Sequence, residues 1–292
     1  MARLVALTAV AMLAFAANSV LARLALAAGE TEALAYTGIR LVSGAAMLGL
    51  LVAWRGGLGS GALWRPAGSV AGAAALFGYA LAFSLAYLML DAGIGALILF
   101  ASVQAGMLVW AVHRGDRPGG LEWLGFALAF GAFAALALPG ATAPAPLGFA
   151  LMAASGLCWA AYSLIGRGSA APLADTAGNF LRCAPAGLAL VAVGLLLQAP
   201  SAVGVALAGA SGALASGLGY AVWYSVLPYL ARASAAFVQL TVPAIAAAGG
   251  VILLAEPLTA RLVLASAGIL GGVALALIAA ERRRGQPSRS AR

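Results

Sequence analysis

Uncharged apolar runs recur along the whole of this chain, each about as long as a bilayer is thick. A helix of about 20 such residues crosses a hydrocarbon core of about 30 Å. Transmembrane β-strands alternate apolar and polar residues instead, whereas these runs are continuously apolar. The sequence therefore predicts an all-α membrane protein with ten transmembrane helices, at residues 4–27, 33–54, 67–90, 93–112, 121–138, 147–165, 176–197, 202–230, 233–255 and 259–280. The eighth run is overlong, and Pro228 is expected to kink it or end it.

The composition excludes a soluble globular protein, and the charges of the loops predict the orientation of the chain in the membrane. Hydrophobic residues make up 64% of the 292 residues and charged residues 8%, with a mean hydropathy of +1.05. The net charge of +8 comes from arginines scattered between the apolar runs, which favours membrane orientation over nucleic-acid binding. Most loop arginines fall on the side of the N-terminus (side A), and four acidic residues fall on the opposite side (side B). Side A is therefore predicted to be cytoplasmic, with both termini inside a bacterial inner membrane.

The two halves of the chain repeat one another. Tyr79 and Tyr220 occupy equivalent places 141 residues apart in Gly-Tyr-Ala segments, and Arg40 and Arg182 are 142 residues apart near the start of the second run of each half. Five spans per half is an odd number, so the halves must cross the membrane in opposite directions. The sequence predicts two inverted five-helix repeats at 1–140 and 141–281, followed by a disordered basic cytoplasmic tail at 282–292.

The chain resembles the drug/metabolite transporter superfamily, and within it the ten-helix exporters with paired EamA repeats. The resemblance is carried by Arg40 and Arg182, by Leu-Thr-Val-Pro at 240–243, and by Leu-Ala-Glu-Pro-Leu-Thr at 254–259. The second half fits the pattern better, because a basic segment at 113–118 replaces the expected acidic-Pro-Leu-Thr turn of the first half. Among subfamilies the chain is most similar to the YddG-type exporters of aromatic amino acids. The resemblance implies an inner-membrane exporter with a central cavity built from both repeats.

Aromatic and polar side chains that share a helix face inside the spans are candidates for lining such a cavity. Polar groups in hydrocarbon must face the bundle interior or find partners there. Repeat-related positions strengthen the interpretation, because both halves would contribute to one cavity. The substrate-binding residues expected on these grounds are Phe15, Asn18, Tyr79, Phe83, Phe100, Gln104, Trp159, Tyr162, Tyr220, Tyr224 and Gln239.

Each candidate also has a structural interpretation. Gln104 and Gln239 could join helices by hydrogen bonds as readily as they could bind substrate. Tyr87, near the end of its span, is expected in the interfacial aromatic belt. Arg40 and Arg182 could bind solute carboxylates or gate either side, although a snorkelling structural role is the favoured interpretation. Pro243 is expected to bend the ninth helix, as a rocking element or as a structural kink. The Glu256–Pro257 pair is expected in a hairpin turn.

The absence of carboxylates from the predicted spans argues against some transport mechanisms and substrates. No carboxylate lies deep in a predicted span, so a proton relay or a counter-ion for a cationic drug has no residue to use. An apolar, aromatic cavity suits amino acids with aromatic or other hydrophobic side chains, exported by alternating access in an uncoupled or exchange mode. The alternatives are a broad-specificity drug or metabolite exporter and a non-transporting membrane scaffold or sensor. We expect a monomer that acts on small molecules in the bilayer, is not an enzyme, and has no cofactor, metal or nucleic-acid partner.

Overall fold

The computed structural model of the chain describes residues 2–56, 67–140, 143–230 and 232–285, which are helical and contain no β-strand. The all-α prediction is confirmed. The α-helices are α1 (Ala2–Ala27), α2 (Ala33–Gly56), α3 (Val70–Ala86), α4 (Ala92–His113), α5 (Gly120–Ala137), α6 (Pro146–Ile165), α7 (Pro172–Leu197), α8 (Ala202–Ala210), α9 (Gly219–Val226), α10 (Arg232–Gln239), α11 (Thr241–Leu254) and α12 (Ala260–Gly285). The predicted tail at 282–292 lies mostly outside the described residues.

Within the described ranges, nine helical stretches are long and apolar enough to cross a membrane, and α3 is a shorter apolar helix at the place of the third predicted span. The eighth crossing runs through α8, a π-helical segment at Ser211–Leu218, and α9. It ends in a 3₁₀ turn, Leu227–Tyr229, so Pro228 ends the helix as expected.

Two helix boundaries differ from the sequence predictions. The seventh helix begins at Pro172 rather than at residue 176, because a proline is favoured at the first position of a helix and Asp175 suits its first turn. The ninth crossing is interrupted at Leu240, between α10 and α11, rather than at Pro243. Pro243 stands in the first turn of α11, where its missing N–H removes no helical hydrogen bond. Pro243 therefore lies about one turn beyond the interruption, and the bend expected of it stays a prediction.

Helices of the first half pack against helices of the second half, as expected for two inverted repeats. Helix α2 packs along α7 and α5 packs along α12, and these pairs join equivalent helices of the two halves. Helix α6 packs against α3, while α1 packs against the eighth crossing in the equivalent arrangement. The division of the chain at residue 140 stays a prediction.

Small residues let α2 and α7 approach closely. A Cβ atom added to Gly38 would lie 2.3 Å from the Gly187 carbonyl oxygen, and one added to Gly194 would lie 2.6 Å from the Ala35 backbone nitrogen. Close backbone approach through glycine is a common way for membrane helices to gain packing energy.

We expect Gly38→Ala to lower the stability of the folded protein by about 1–3 kcal/mol, because its methyl group would overlap the α7 backbone. Gly49→Ala on the same helix is the matched control, since nothing lies within 4 Å of its Cβ position. That control should unfold at or above the wild-type temperature because alanine favours a helix. Thermal unfolding of both purified variants in detergent measures the difference, and equal melting temperatures would contradict the close α2–α7 contact.

Candidate functional site

Five aromatic side chains form a continuous row through the centre of the bundle, here called the aromatic ladder. Its ring centroids are separated by 6.3 Å from Tyr224 to Tyr220, 5.6 Å from Tyr220 to Trp159, 4.8 Å from Trp159 to Tyr79 and 5.5 Å from Tyr79 to Phe83. Such distances are typical of favourable aromatic pairs. Helix α3 belongs to the first predicted repeat and helices α6 and α9 to the second, so both halves build the ladder.

Two further predicted aromatic residues flank the ladder. Phe15 of α1 lies 5.6 Å from the ring of Tyr220, and Tyr162 stacks on Trp159 at 5.2 Å. Seven of the eight aromatic candidates, all except Phe100, therefore lie in one cluster. The residues are drawn from α1, α3, α6 and α9, helices that are distant in sequence but adjacent in the bundle.

A hydroxyl group from α7 joins the tyrosines at one end of the ladder. Tyr162 donates a hydrogen bond to the Thr176 hydroxyl at 3.1 Å, and the Thr176 hydroxyl lies 3.2 Å from the Tyr224 hydroxyl. Sequence reasoning missed Thr176, because its equivalent position in the first half is Leu34 and the repeat gives no signal there.

A cavity of about 430 Å³ opens on side A and reaches the first ring of the ladder. It lies between the end of α2, the start of α7 and the end of α9, with its lining residues Val52, Arg55, Ala171, Pro172, Leu173, Ala174, Tyr224 and Ser225. Tyr224 belongs to both the cavity wall and the ladder. A solute entering from side A would therefore meet the aromatic rings directly.

On side B, helices are joined by a cluster of ionic contacts, here called the side-B ion cluster. Arg23 of α1 donates hydrogen bonds to the Glu256 carboxylate at 3.0 Å, to the Asp91 carboxylate at 3.3 Å and to the Tyr87 carbonyl at 3.1 Å. Glu256 also accepts a hydrogen bond from the Ala92 backbone N–H at 2.9 Å. The cluster ties α1 and the start of α4 to the turn between α11 and α12, and so joins the two predicted repeats.

Glu256 does lie in the expected turn, but it has this ionic role as well. Burial raises the pKa of its carboxyl group above the ordinary value of 4.5, while the Ala92 hydrogen bond and Arg23 act against that shift. On side A the position equivalent to Arg23 is Arg167, which is exposed and forms no ion pair with the described residues. Among the described residues, the three-way contact that Arg23 makes therefore has no counterpart at Arg167, although Arg283 and Glu122 form a separate ion pair on side A.

Arg40 lies at the inner end of the ladder and is 1% exposed. Its Nη2 donates a hydrogen bond to the Tyr79 hydroxyl at 2.9 Å, and its guanidinium lies 4.7 Å from the Phe83 ring centroid and 5.2 Å from that of Tyr79. Arg40 therefore does not snorkel, which corrects the interpretation favoured from sequence. Its side chain points into the bundle, where aromatic faces rather than water surround the charge.

Arg182, the repeat-related arginine, has a different environment. It is exposed, and its Nη1 donates hydrogen bonds to the Gly178 carbonyl at 3.0 Å and to the Ala67 carbonyl. One helical turn earlier, Asn179 accepts a hydrogen bond from the Ser69 N–H at 2.8 Å. Arg182 thus helps α7 to hold the chain segment that leads into α3, and it lies away from the ladder.

The four remaining candidates, one aromatic and three polar, lie outside the ladder. Asn18 is buried, and its side-chain oxygen accepts hydrogen bonds from Ser211 at 2.9 Å and from Ser216 at 3.2 Å, which joins α1 to the π-helical segment. Phe100 packs against two hydrophobic clusters of the core. Gln104 and Gln239 are half-buried. Their contact with substrate stays a prediction.

The position of Tyr87 contradicts the prediction that it lies in the interfacial aromatic belt. It is fully buried, lies edge-on to Phe83 at 4.7 Å, and donates a hydrogen bond from its hydroxyl to the Ala92 carbonyl at 3.3 Å. Helix α3 ends just before it, and the turn into α4 folds the ring into the core. Two other aromatic residues of the centre, Tyr36 and Phe180, were missed because their repeat-related positions are glycines.

Comparisons with known proteins agree with this architecture. The chain is 53% identical over 281 residues to the uncharacterized protein PA1977 of Pseudomonas aeruginosa, covering 94% of each chain. A solved structure described as a crystal structure of a protein superposes with a TM-score of 0.61 at 21% identity, covering 94% of this chain and 99% of that one, which shows the fold. Residues 146–278 match the EamA-like transporter family. That match lies in the second half of the chain and covers less than half of its length, and the apolar helical bundle agrees with it.

Proposed function

We propose that this protein exports amino acids with aromatic or other hydrophobic side chains, and related metabolites, by alternating access. The observation that carries the proposal is the aromatic ladder, which runs from a cavity on side A to the buried Arg40. Aromatic rings offer broad apolar surfaces and favourable stacking to a solute of that kind. Tyrosine hydroxyl groups along the same row supply hydrogen bonds to its polar end.

The contrast between the two sides supports a rocking mechanism. Side A has a cavity open to the ladder, while the ion pairs of Arg23 with Asp91 and Glu256 join helices on side B. If those contacts broke and the side-A cavity closed, the ladder would become accessible from side B. Inverted repeats provide the symmetry for such an exchange.

The loop charges support side A as the cytoplasmic side of an inner membrane, so the cavity would load from the cytoplasm. A single chain contains the ladder and both repeats, which supports a monomer as the working unit. Each of the eight acidic side chains lies in a loop or near a helix end, which supports facilitated diffusion or exchange over proton coupling.

Counterflow in proteoliposomes tests the proposal. Vesicles preloaded with unlabelled phenylalanine or tryptophan should accumulate the labelled amino acid transiently, and threonine serves as the polar comparison. Accumulation of the aromatic pair alone is the expected result. Equal accumulation of threonine would favour a broader amino-acid exporter, and no accumulation of any amino acid would contradict the proposed substrate class.

The proposed coupling mode has its own test. An imposed proton gradient should leave the initial rate of phenylalanine uptake within about twofold of the rate without a gradient, because no acidic side chain belongs to the aromatic ladder and all eight lie in loops or near helix ends. Vesicles made permeable to protons with an ionophore provide the control. Concentrative uptake that depends on the gradient would contradict facilitated diffusion or exchange.

A further inference from the structure

Two hydrogen-bond donors beside the ladder are buried without partners. The Nη1 atom of Arg40 and the hydroxyl group of Tyr36 are inaccessible and have no hydrogen-bond partner within 3.5 Å among the described residues. The Ser211 hydroxyl lies close to that of Tyr36, but it donates its proton to Asn18. Arg40 and Tyr36 are both on α2, four positions apart, so their side chains share one helix face. Leaving a buried donor unpaired is unfavourable by about 1–3 kcal/mol, and more for a charged group. Two such donors on one face mark a place for an acceptor.

No acidic side chain of the protein can serve as that acceptor. The chain has eight acidic residues, and all of them lie in described loops or near helix ends: Glu30, Glu32, Asp91, Asp116, Glu122, Asp175, Glu256 and Glu281. The salt bridges of the described chain involve Arg23 and Arg283, not Arg40. An isolated buried charge is strongly unfavourable unless it is paired. Beyond its contacts with Tyr79 and Phe83, Arg40 therefore has no anionic partner among the described side chains, and a ligand could supply one.

We propose that Arg40 and Tyr36 bind the carboxylate group of the transported solute, while the adjoining ladder holds its apolar body. The inference rests on the proposed transport function, and it identifies the cargo by a carboxylate. A guanidinium matches the two oxygens of a carboxylate geometrically, and a tyrosine hydroxyl adds a neutral donor. Tyr79 already holds the other arm of the guanidinium and fixes its orientation. A cationic amine at this place would meet the positive charge of Arg40.

The difference between Arg40 and Arg182 has a structural cause. Arg182 reaches the free carbonyl of Ala67, which lies just before α3. The equivalent place in the second half is inside α8, at Ala208, whose carbonyl is engaged by the backbone N–H of Ser211. Arg40 therefore finds no such partner and turns toward Tyr79. The repeat thus yields one structural arginine and one that is available to a ligand.

Ligand binding by the purified full-length protein in detergent tests the site. Tryptophan fluorescence, which should respond at Trp159, is titrated with 3-phenylpropionate, phenylalanine and phenethylamine, which share a phenyl ring and differ in charged groups. We expect the two carboxylates to bind and phenethylamine to bind far more weakly. Arg40→Met should weaken 3-phenylpropionate binding by about 10–100-fold, and Tyr36→Phe by about 2–10-fold. Arg182→Met is the matched control and should leave the affinity unchanged.

Thermal unfolding separates this role from a structural one. Without ligand, Arg40→Met should melt at or above the wild-type temperature, because replacing an unpaired buried charge by an apolar side chain of similar size removes an unfavourable term. Arg182→Met should melt lower, because it loses its contact with the segment before α3. A lower melting temperature for Arg40→Met with unchanged affinity in Tyr36→Phe would overturn the carboxylate site. Tyr36→Phe keeps the ring and so stays informative if Arg40→Met does not fold.

The outcomes distinguish this inference from the proposed transport function. Carboxylate binding that depends on Arg40, combined with no counterflow, would overturn transport and leave the site standing. Counterflow of phenylalanine with equal binding of phenethylamine would overturn the carboxylate site alone. Stabilisation by chloride but by neither carboxylate would replace the inference with an inorganic-anion site.

Discussion

Counterflow of phenylalanine should fall at least about tenfold in Trp159→Ala, because this ring is the central member of the ladder. Trp159 contacts Tyr79 at 4.8 Å, Tyr162 at 5.2 Å and Tyr220 at 5.6 Å, so one substitution removes three aromatic pairs. Each pair contributes about 0.5–1.5 kcal/mol beyond its buried area. The same loss should appear in the affinity for 3-phenylpropionate, since both the transport path and the binding site include this ring. Calorimetry measures that affinity, because the substitution removes the fluorescent reporter.

Trp159→Phe and Trp110→Ala are the matched controls for this substitution. Phenylalanine keeps an aromatic face at position 159 and should retain part of the transport. Trp110 is 44% exposed near the end of α4 and contacts only His113 and Arg114 among the aromatic and cationic pairs of the described chain. Its replacement should leave counterflow at the wild-type rate. Wild-type transport by a folded Trp159→Ala protein would remove the ladder from the transport path.

The ladder could be predicted because both halves of the chain carry the same aromatic spacing. Tyr79 and Tyr220 occupy equivalent positions, and the structure places both next to Trp159. A repeat identifies residues whose role is shared by the two halves, since both must build one central site. Helix number and class were predictable for a simpler reason, which is that the bilayer requires long apolar helices.

Features on which the halves differ could not be predicted in this way. Tyr36 and Phe180 have glycines at their repeat-related positions, so the repeat that revealed Tyr79 hides them. Arg40 and Arg182 look equivalent in sequence. Their surroundings differ because residues 202–210 are helical, so Arg40 has no free backbone carbonyl at the place where Arg182 has one. Burial of Tyr87 depends on a turn that brings α4 back against α3, which is a tertiary contact. Comparing the two halves of one chain therefore does not predict residues that differ between them.

The side-B ion cluster leads to the second large expected effect. Arg23→Gln should open side B, because it leaves the Glu256 and Asp91 carboxylates facing one another without their shared cation. Arg23 and Glu256 side chains are only 19% and 10% exposed, so solvent screens them poorly, while Asp91 is 35% exposed and better screened. Allowing for that screening, we expect side-B accessibility to rise about tenfold.

Cysteine labelling measures this opening directly. Ala22→Cys places a thiol beside Arg23 at a position that is 0% exposed, in a protein whose Cys158 and Cys183 are replaced by alanine. A membrane-impermeant maleimide added from side B should react slowly with the parent protein and about ten times faster after Arg23→Gln. Arg167→Gln, at the equivalent place on side A, is the matched control and should not change the rate of labelling from side B.

Acidification should reverse the effect of Arg23→Gln. Burial already raises the pKa of the Glu256 carboxyl, and loss of Arg23 removes a group that lowers this pKa while Asp91 continues to raise it. The closed state, in which Glu256 is buried, therefore binds a proton more tightly than an open state in which the carboxyl is hydrated near its ordinary value of 4.5. By linkage, falling pH favours the state with the higher pKa, which is the closed one.

The labelling rate of the Arg23→Gln protein should therefore decrease as the pH falls from about 7.5 toward about 5, after correction for the intrinsic reactivity of the thiol. Adding Glu256→Gln to Arg23→Gln removes the carboxylate repulsion, so the double variant should be more closed than Arg23→Gln at neutral pH and should lose the pH response. Tyr87, which also faces the cluster, contributes its backbone carbonyl and adds no charge in this range. A labelling rate in Arg23→Gln equal to that of the parent, at both pH values, would mean that contacts other than these ion pairs keep side B closed.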